Sequence, residues 1–154
     1  MARFTRITPP PPGSHRHPIV RAQVRQDFVR TCAYCILEEL LAAGPENFEL
    51  DHFRPRFRFR HLINDFYNLY YCCHPCNRKK GSLWPSEQEE KAGFKFLDLC
   101  YEDFEDHYRS LADGQWEPLT LSAKYTLQHL RLNNPHLVRI RRILMQSNSL
   151  LASD

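Results

Sequence analysis

Two pairs of cysteines, Cys32-Ala-Tyr-Cys35 and Cys73-His-Pro-Cys76, each place two sulfurs with two residues between them. A tight turn of that spacing presents both thiolates to one ion. Two such turns complete the four-sulfur tetrahedron that zinc prefers, with bonds of ~2.3 Å. Four sulfur ligands leave no open coordination position, so the centre reads as structural. The competing reading is four buried free thiols. A redox role is disfavoured because neither pair follows a βαβ strand. Cys72 adjoins Cys73 but breaks the tight spacing to Cys76, and Cys100 reads as core packing. The pairs lie 37 residues apart, so an ion held by both pins the ends of a long insert. Inside or just after that insert lie Asp51-His52, Asn68 and Asn77. A carboxylate suits a hard cation, and an imidazole takes up protons near neutral pH. An isolated Asp-His pair is more often a surface turn, so the reading depends on the company it keeps.

The order of these residues carries a resemblance. C-A-Y-C, then E-L-D-H-F-R-P, then N-L-Y-Y-C-C-H-P-C-N-R-K-K-G resembles the HNH endonucleases, metal-dependent nucleases with a ββα-metal core. The likeness covers roughly residues 30–84. Further on, FLDL and LRLNNPHLVRIRR look like continuations of HNH proteins, some of them linked to bacterial defence. The resemblance implies a hydrolase acting on DNA phosphodiester bonds, with RNA left open. It makes His52 the general base and Asn68 the residue that orients its imidazole. It makes Asp51 and Asn77 the ligands of a catalytic Mg²⁺ or Mn²⁺. Some members end the motif in histidine; Asn77 resembles the Asp-His/Asn/Asn subgroup and favours Mg²⁺ over Zn²⁺ or Ni²⁺. Neighbours on a regular strand point to opposite faces. Asp51 and His52 therefore converge only where the strand frays, and Pro55 lies close enough to cause that.

The charge pattern supports a polyanionic partner. The 154 residues carry a net charge of only +3, but the charge is segregated. Residues 1–26 hold five arginines and no acid, and residues 52–81 hold seven Lys or Arg against Asp65 alone. Residues 82–107 hold eight acids against two lysines, a block that restrains indiscriminate binding. Arg54, Arg56 and Arg58, with Phe57 and Phe59 between and after them, read as a phosphate-tracking strip whose phenylalanines anchor in the core, or else as a solvated face. Arg78, Lys79 and Lys80 read as a phosphate-binding group at the start of a helix. Arg131, Arg139, Arg141 and Arg142 read as a second duplex contact or a partner surface. His74 reads as an exposed neighbour of the thiolates, and His61 as a phosphate contact or a solvent-facing residue. A zinc-knuckle binder without chemistry, or an effector subunit licensed by a partner such as an ATPase, fits the same basic surfaces.

The chain must also supply elements that hold these groups. Length and an apolar share of 42% predict a single domain from residue 19 to 154, behind a disordered basic arm at 1–18 rich in proline. Mean hydropathy is −0.56, and no apolar run or leader is seen, which predicts a cytoplasmic protein without membrane contact. The class is α+β: a ββα core at 30–84 and an extension at 85–154. Val20, Val24 and Phe28 predict a helix leading to Cys32. Residues 36–43 predict a second helix stopped by Gly44-Pro45. FELDHF (48–53) and YNLYY (67–71) predict strands, and 54–65 a loop. HYRSL and QWEPL flank Ala112-Asp113-Gly114 and predict a hairpin. Two helices follow, the first capped by Ser122 with Ala123, Leu127 and Leu130 inward, the second after Pro135 with Leu137, Ile140 and Leu144 inward.

Overall fold

A computed structural model describes residues 2–151. It is a mixed α+β domain whose described residues form six helices and two small antiparallel sheets. Helix α1 (Pro18–Asp27) buries Val20 and Val24, and Phe28 caps its end, as the spacing predicts. Strands β1 (Phe48–His52) and β2 (Leu69–Cys73) pair antiparallel, Asp51 opposite Tyr70 and His52 opposite Leu69. Helix α2 (His74–Lys80) follows β2 directly and packs on both strands. That is the ββα unit, with a long loop, residues 53–68, joining its strands. The loop is irregular over 54–59 and carries 3₁₀ turns at Arg60–Leu62 and Phe66–Asn68.

The extension wraps this unit. Helix α3 (Glu87–Lys91) opens with a capping box between Ser86 and Glu89. Helix α4 (Phe104–His107) leads into β3 (Tyr108–Ser110), which pairs with β4 (Trp116–Pro118) as the expected hairpin. Helix α5 (Leu121–Leu130) is capped by Thr120, not Ser122. The Thr120 hydroxyl takes the Ala123 amide at 3.2 Å, while Ser122 is buried within the first turn. Ala123 and Leu130 are buried in the core. Helix α6 (Pro135–Leu151) buries Leu137 but leaves Leu144 40% exposed, because the helix runs on past the core. No helix among the described residues is long and apolar enough to cross a membrane.

Three expectations are corrected here. Residues 36–43 make only a 3₁₀ turn, Glu39–Ala42. Ile36 is left-handed at φ 61°, and the Glu39 carboxylate turns inward to Arg25 at 2.6 and 2.7 Å and to the Tyr71 hydroxyl at 2.7 Å. The amino-terminal segment is no free arm. Phe4 is buried against Phe28, and Arg6 threads inward to donate to Asp27 at 3.1 Å and to the carbonyls of Phe66 and Leu69 at 2.7 and 3.0 Å. Its guanidinium also lies over the Phe66 ring at 4.6 Å. Five arginines without an acid look solvated, but one of them answers a buried aspartate 21 residues later. Arg141 is likewise no surface cation: it stacks on Trp116 at 3.4 Å, donates to Asn133, and burial lowers its pKa to about 10.

Candidate functional site

The four paired cysteines come together. All are buried, and their sulfurs lie within 4.8 Å of one another. Local turns build the cluster: the Cys32 amide donates to the Leu37 carbonyl at 2.9 Å and the Ile36 amide to the Cys32 carbonyl at 3.1 Å. The second pair spans the junction of β2 and α2. Tetrahedral zinc with bonds of ~2.3 Å needs sulfurs roughly 3.8 Å apart, and Cys35 and Cys73 are 3.8 Å apart. Crowding splits the thiols: hydrogen bonds from the other three sulfurs hold Cys73 far below its usual range, while contacts with Cys32 and Cys73, and burial, push Cys35 and Cys76 up. Four thiolates could coexist there only around a cation, so the donor set fits zinc. Cys72 and Cys100 are buried elsewhere in the core.

On the other side of α2 lies a cleft of about 750 Å³, lined by Asp51, His52 and Asn77 together with His15, Arg56, Phe57 and Arg60. Three of the four expected chemical groups therefore line one cleft. Asp51 is 6% exposed. Its Oδ2 accepts the Tyr34 hydroxyl and pairs with the Lys80 ammonium at 2.9 Å. Burial pushes the Asp51 carboxyl up, while Lys80 and then Tyr34 pull it back. No hydrogen bond reaches Oδ1 of Asp51 or the carboxamide of Asn77 among the described residues. Nε2 of His52 sits 2.8 Å from the Ile63 carbonyl oxygen. A carbonyl can only accept, so Nε2 carries the hydrogen and Nδ1 of the neutral ring keeps its lone pair. Burial lowers the His52 pKa, against the Ile63 hydrogen bond, which raises it.

Asn68 does not touch that ring. Its Oδ1 accepts the Arg54 amide at 2.8 Å, and its Nδ2 donates to the carbonyls of Arg54 and Leu62 at 3.1 and 3.3 Å. Asn68 thus staples both ends of the loop whose Ile63 carbonyl orients His52. The expectation of a direct amide–imidazole contact is replaced by a backbone one. A second histidine was missed: His15 stands edge-on to His52 at 5.1 Å, with its Nδ1 2.9 Å from Asn64 Oδ1. Nothing local in a proline-rich segment signals that return. Tyr34, hidden between two cysteines of the cluster, was missed for the same reason.

The expected phosphate contacts divide. Lys80 is wholly buried, spanning Asp51 and the His52 carbonyl at 3.0 Å, and cannot meet solvent phosphate. Arg78 and Lys79 face a different hollow, beside the cysteine cluster with His74 and His136. The run also closes α2 rather than opening it, so the helix dipole there disfavours anions. Arg58 folds back to the Pro85 carbonyl at 2.6 Å and to Glu90 at 3.4 Å. Arg54 is exposed, with its guanidinium over Phe59 at 5.7 Å. Phe57, expected in the core, is 84% exposed.

Lys80 should therefore matter for folding rather than binding. Lys80→Met leaves the Asp51 carboxylate buried without its cation and is expected to cost about 3–5 kcal/mol in urea unfolding. Lys79→Met should change stability by less than about 0.5 kcal/mol. Equal effects of the two substitutions would remove the pairing argument. No protein-family model matches the chain, and no curated protein matches it.

Proposed function

We propose that this chain is a metal-dependent endonuclease that hydrolyses DNA phosphodiester bonds in the cleft beside α2. The observation that carries the reading is that Asp51, His52 and Asn77 line the same cleft, with the imidazole already held by Ile63. Water adds its oxygen to phosphorus while His52 Nδ1 takes its proton, a contribution worth roughly 10²–10⁴-fold. The bond from phosphorus to the leaving oxygen breaks, and that oxygen gains a proton from solvent. Oδ1 of Asp51 and the carboxamide oxygen of Asn77 would hold a Mg²⁺ or Mn²⁺ ion, consistent with few protein oxygens and many retained waters. When bound, such an ion supplies Lewis-acid stabilisation of the phosphoryl and leaving oxygens. Lys80 pairs with Oδ2, which draws the buried carboxyl back toward its ionised form against burial and leaves Oδ1 without a hydrogen-bond partner among the described residues. Arg56 and Arg60 line the same cleft, where Glu49 and the Lys80-paired Asp51 are the acidic side chains, and favour an anionic substrate. The cysteine cluster would hold a structural zinc that fixes α2, and with it Asn77, against β1.

One observation favours a second reading, a zinc-knuckle nucleic-acid binder without chemistry: Lys80 already neutralises Asp51. Supercoiled plasmid separates the two. With the purified chain freed of exchangeable divalent ions, cleavage is expected only on adding Mg²⁺ or Mn²⁺. Binding without nicking under either ion would leave the binder.

A further inference from the structure

The loop RPRFRFR (54–60) sorts its side chains into two groups, and the sorting says what the cleft holds. Phe59 is packed edge-on against Trp84 at 5.4 Å, with Arg54 and Arg58 over its ring at 5.7 and 5.6 Å. Those three serve the fold. Arg56, Phe57 and Arg60 turn the other way and line the cleft that holds His52. Both arginines are exposed and neither has an acidic partner among the described residues, although Arg58, two positions from each, has Glu90. Phe57 is 84% exposed, the second most exposed large apolar side chain among the described residues. An uncovered aromatic between two unpaired guanidinium groups, at the mouth of a cleft with an imidazole inside, is a stacking face with phosphate holds on either side.

We propose that Arg56, Phe57 and Arg60 form a subsite for an unpaired nucleotide, so that the substrate is single-stranded or locally unpaired DNA; this deepens the nuclease reading of the same cleft and rests on it. A base inside a duplex has both faces covered by its neighbours. A ring standing at the rim offers it nothing unless the base leaves the stack. An unpaired base has a free π-face, and stacking on an aromatic is sequence-tolerant because every base has one. The two arginines then take the phosphates on either side of that base, aligning the backbone along the wall where His52 stands. Recognition by this subsite selects for strandedness rather than sequence.

Fluorescence anisotropy of the full chain carrying His52→Ala, introduced to prevent cleavage during the measurement, tests this. The probes are a labelled DNA oligonucleotide, its duplex, and RNA of the same sequence. The single strand is expected to bind at least about tenfold more tightly than the duplex. Phe57→Ala is expected to weaken single-strand binding about tenfold, to leave duplex binding unchanged, and to be rescued by Phe57→Trp but not by Phe57→Leu. Arg56→Gln and Arg60→Gln should each lower the steepness of the salt dependence by about 0.7, one single-strand phosphate apiece. Unchanged single-strand affinity in Phe57→Ala, full affinity in Phe57→Leu, or equal losses on strand and duplex would overturn the subsite. Tighter binding of RNA than DNA would overturn the DNA assignment. Failure of the His52→Ala chain, with Arg56, Phe57 and Arg60 intact, to bind any of the three would remove the nuclease reading itself.

Discussion

Stripping the metal from the four-cysteine centre is expected to unfold the ββα unit. Zinc content should be one ion per chain, and a strong chelator should abolish cooperative thermal unfolding, with recovery on adding Zn²⁺. Binding at such centres is worth on the order of 10–16 kcal/mol in small zinc peptides, which matches or exceeds the ~5–15 kcal/mol stability of a whole domain. The cluster joins the turn before β1 to the β2–α2 junction, so its loss frees both ends of the insert together. Cys76→Ser should act as the chelator does, and Cys72→Ser, outside the cluster, should not lose zinc. A chelated chain that still unfolds cooperatively at its former temperature would make the cysteines ordinary core residues.

Replacing His52 with alanine is expected to reduce cleavage by roughly 10²–10⁴-fold, the worth of general-base catalysis, with zinc content unchanged and stability lowered by only about 1–2 kcal/mol. The small stability loss follows from the single hydrogen bond to the Ile63 carbonyl that the ring surrenders. Asn68→Ala should behave oppositely in kind: it leaves the arginine loop unstapled, so loss of activity should track loss of loop order and stability. An undiminished rate in His52→Ala would remove the mechanism. Plasmid nicking under Mg²⁺, with circular dichroism and bound zinc measured on the same samples, provides all the readouts.

What the sequence disclosed was local. CxxC spacing is a property of single turns, so the sulfur cluster could be read directly, and alternation around FELDH placed β1 within a residue. Asp51, His52 and Asn77 were grouped through the motif resemblance, and the short elements β1 and α2 carry them to one cleft. What stayed hidden depended on burial between distant segments. Lys80 stands in a run of three cations that reads as solvated, and only the inward carboxylate of Asp51 explains why one of them is the most deeply buried. Asn68 was assigned a ring and instead serves backbone amides and carbonyls, groups every residue has and no motif can mark. The stretch RPRFRFR reads in sequence as an arginine strip with its phenylalanines anchored in the core. The loop does divide its side chains, but in blocks set by Trp84, Pro85 and Glu90 rather than by strand geometry.

The inward course of Arg6 decides where this domain begins. Composition alone would invite trimming the chain just ahead of Pro18, since the preceding stretch is mostly proline, arginine and histidine. Such a cut would take away the guanidinium and the Ile7 amide that face Asp27, leaving Gln23 as its one remaining donor among those seen here. It would also release the carbonyls of Phe66 and Leu69, at the threshold of β2. A fragment that keeps these contacts, with Phe4 buried and its amide on the Leu99 carbonyl, therefore starts ahead of Phe4.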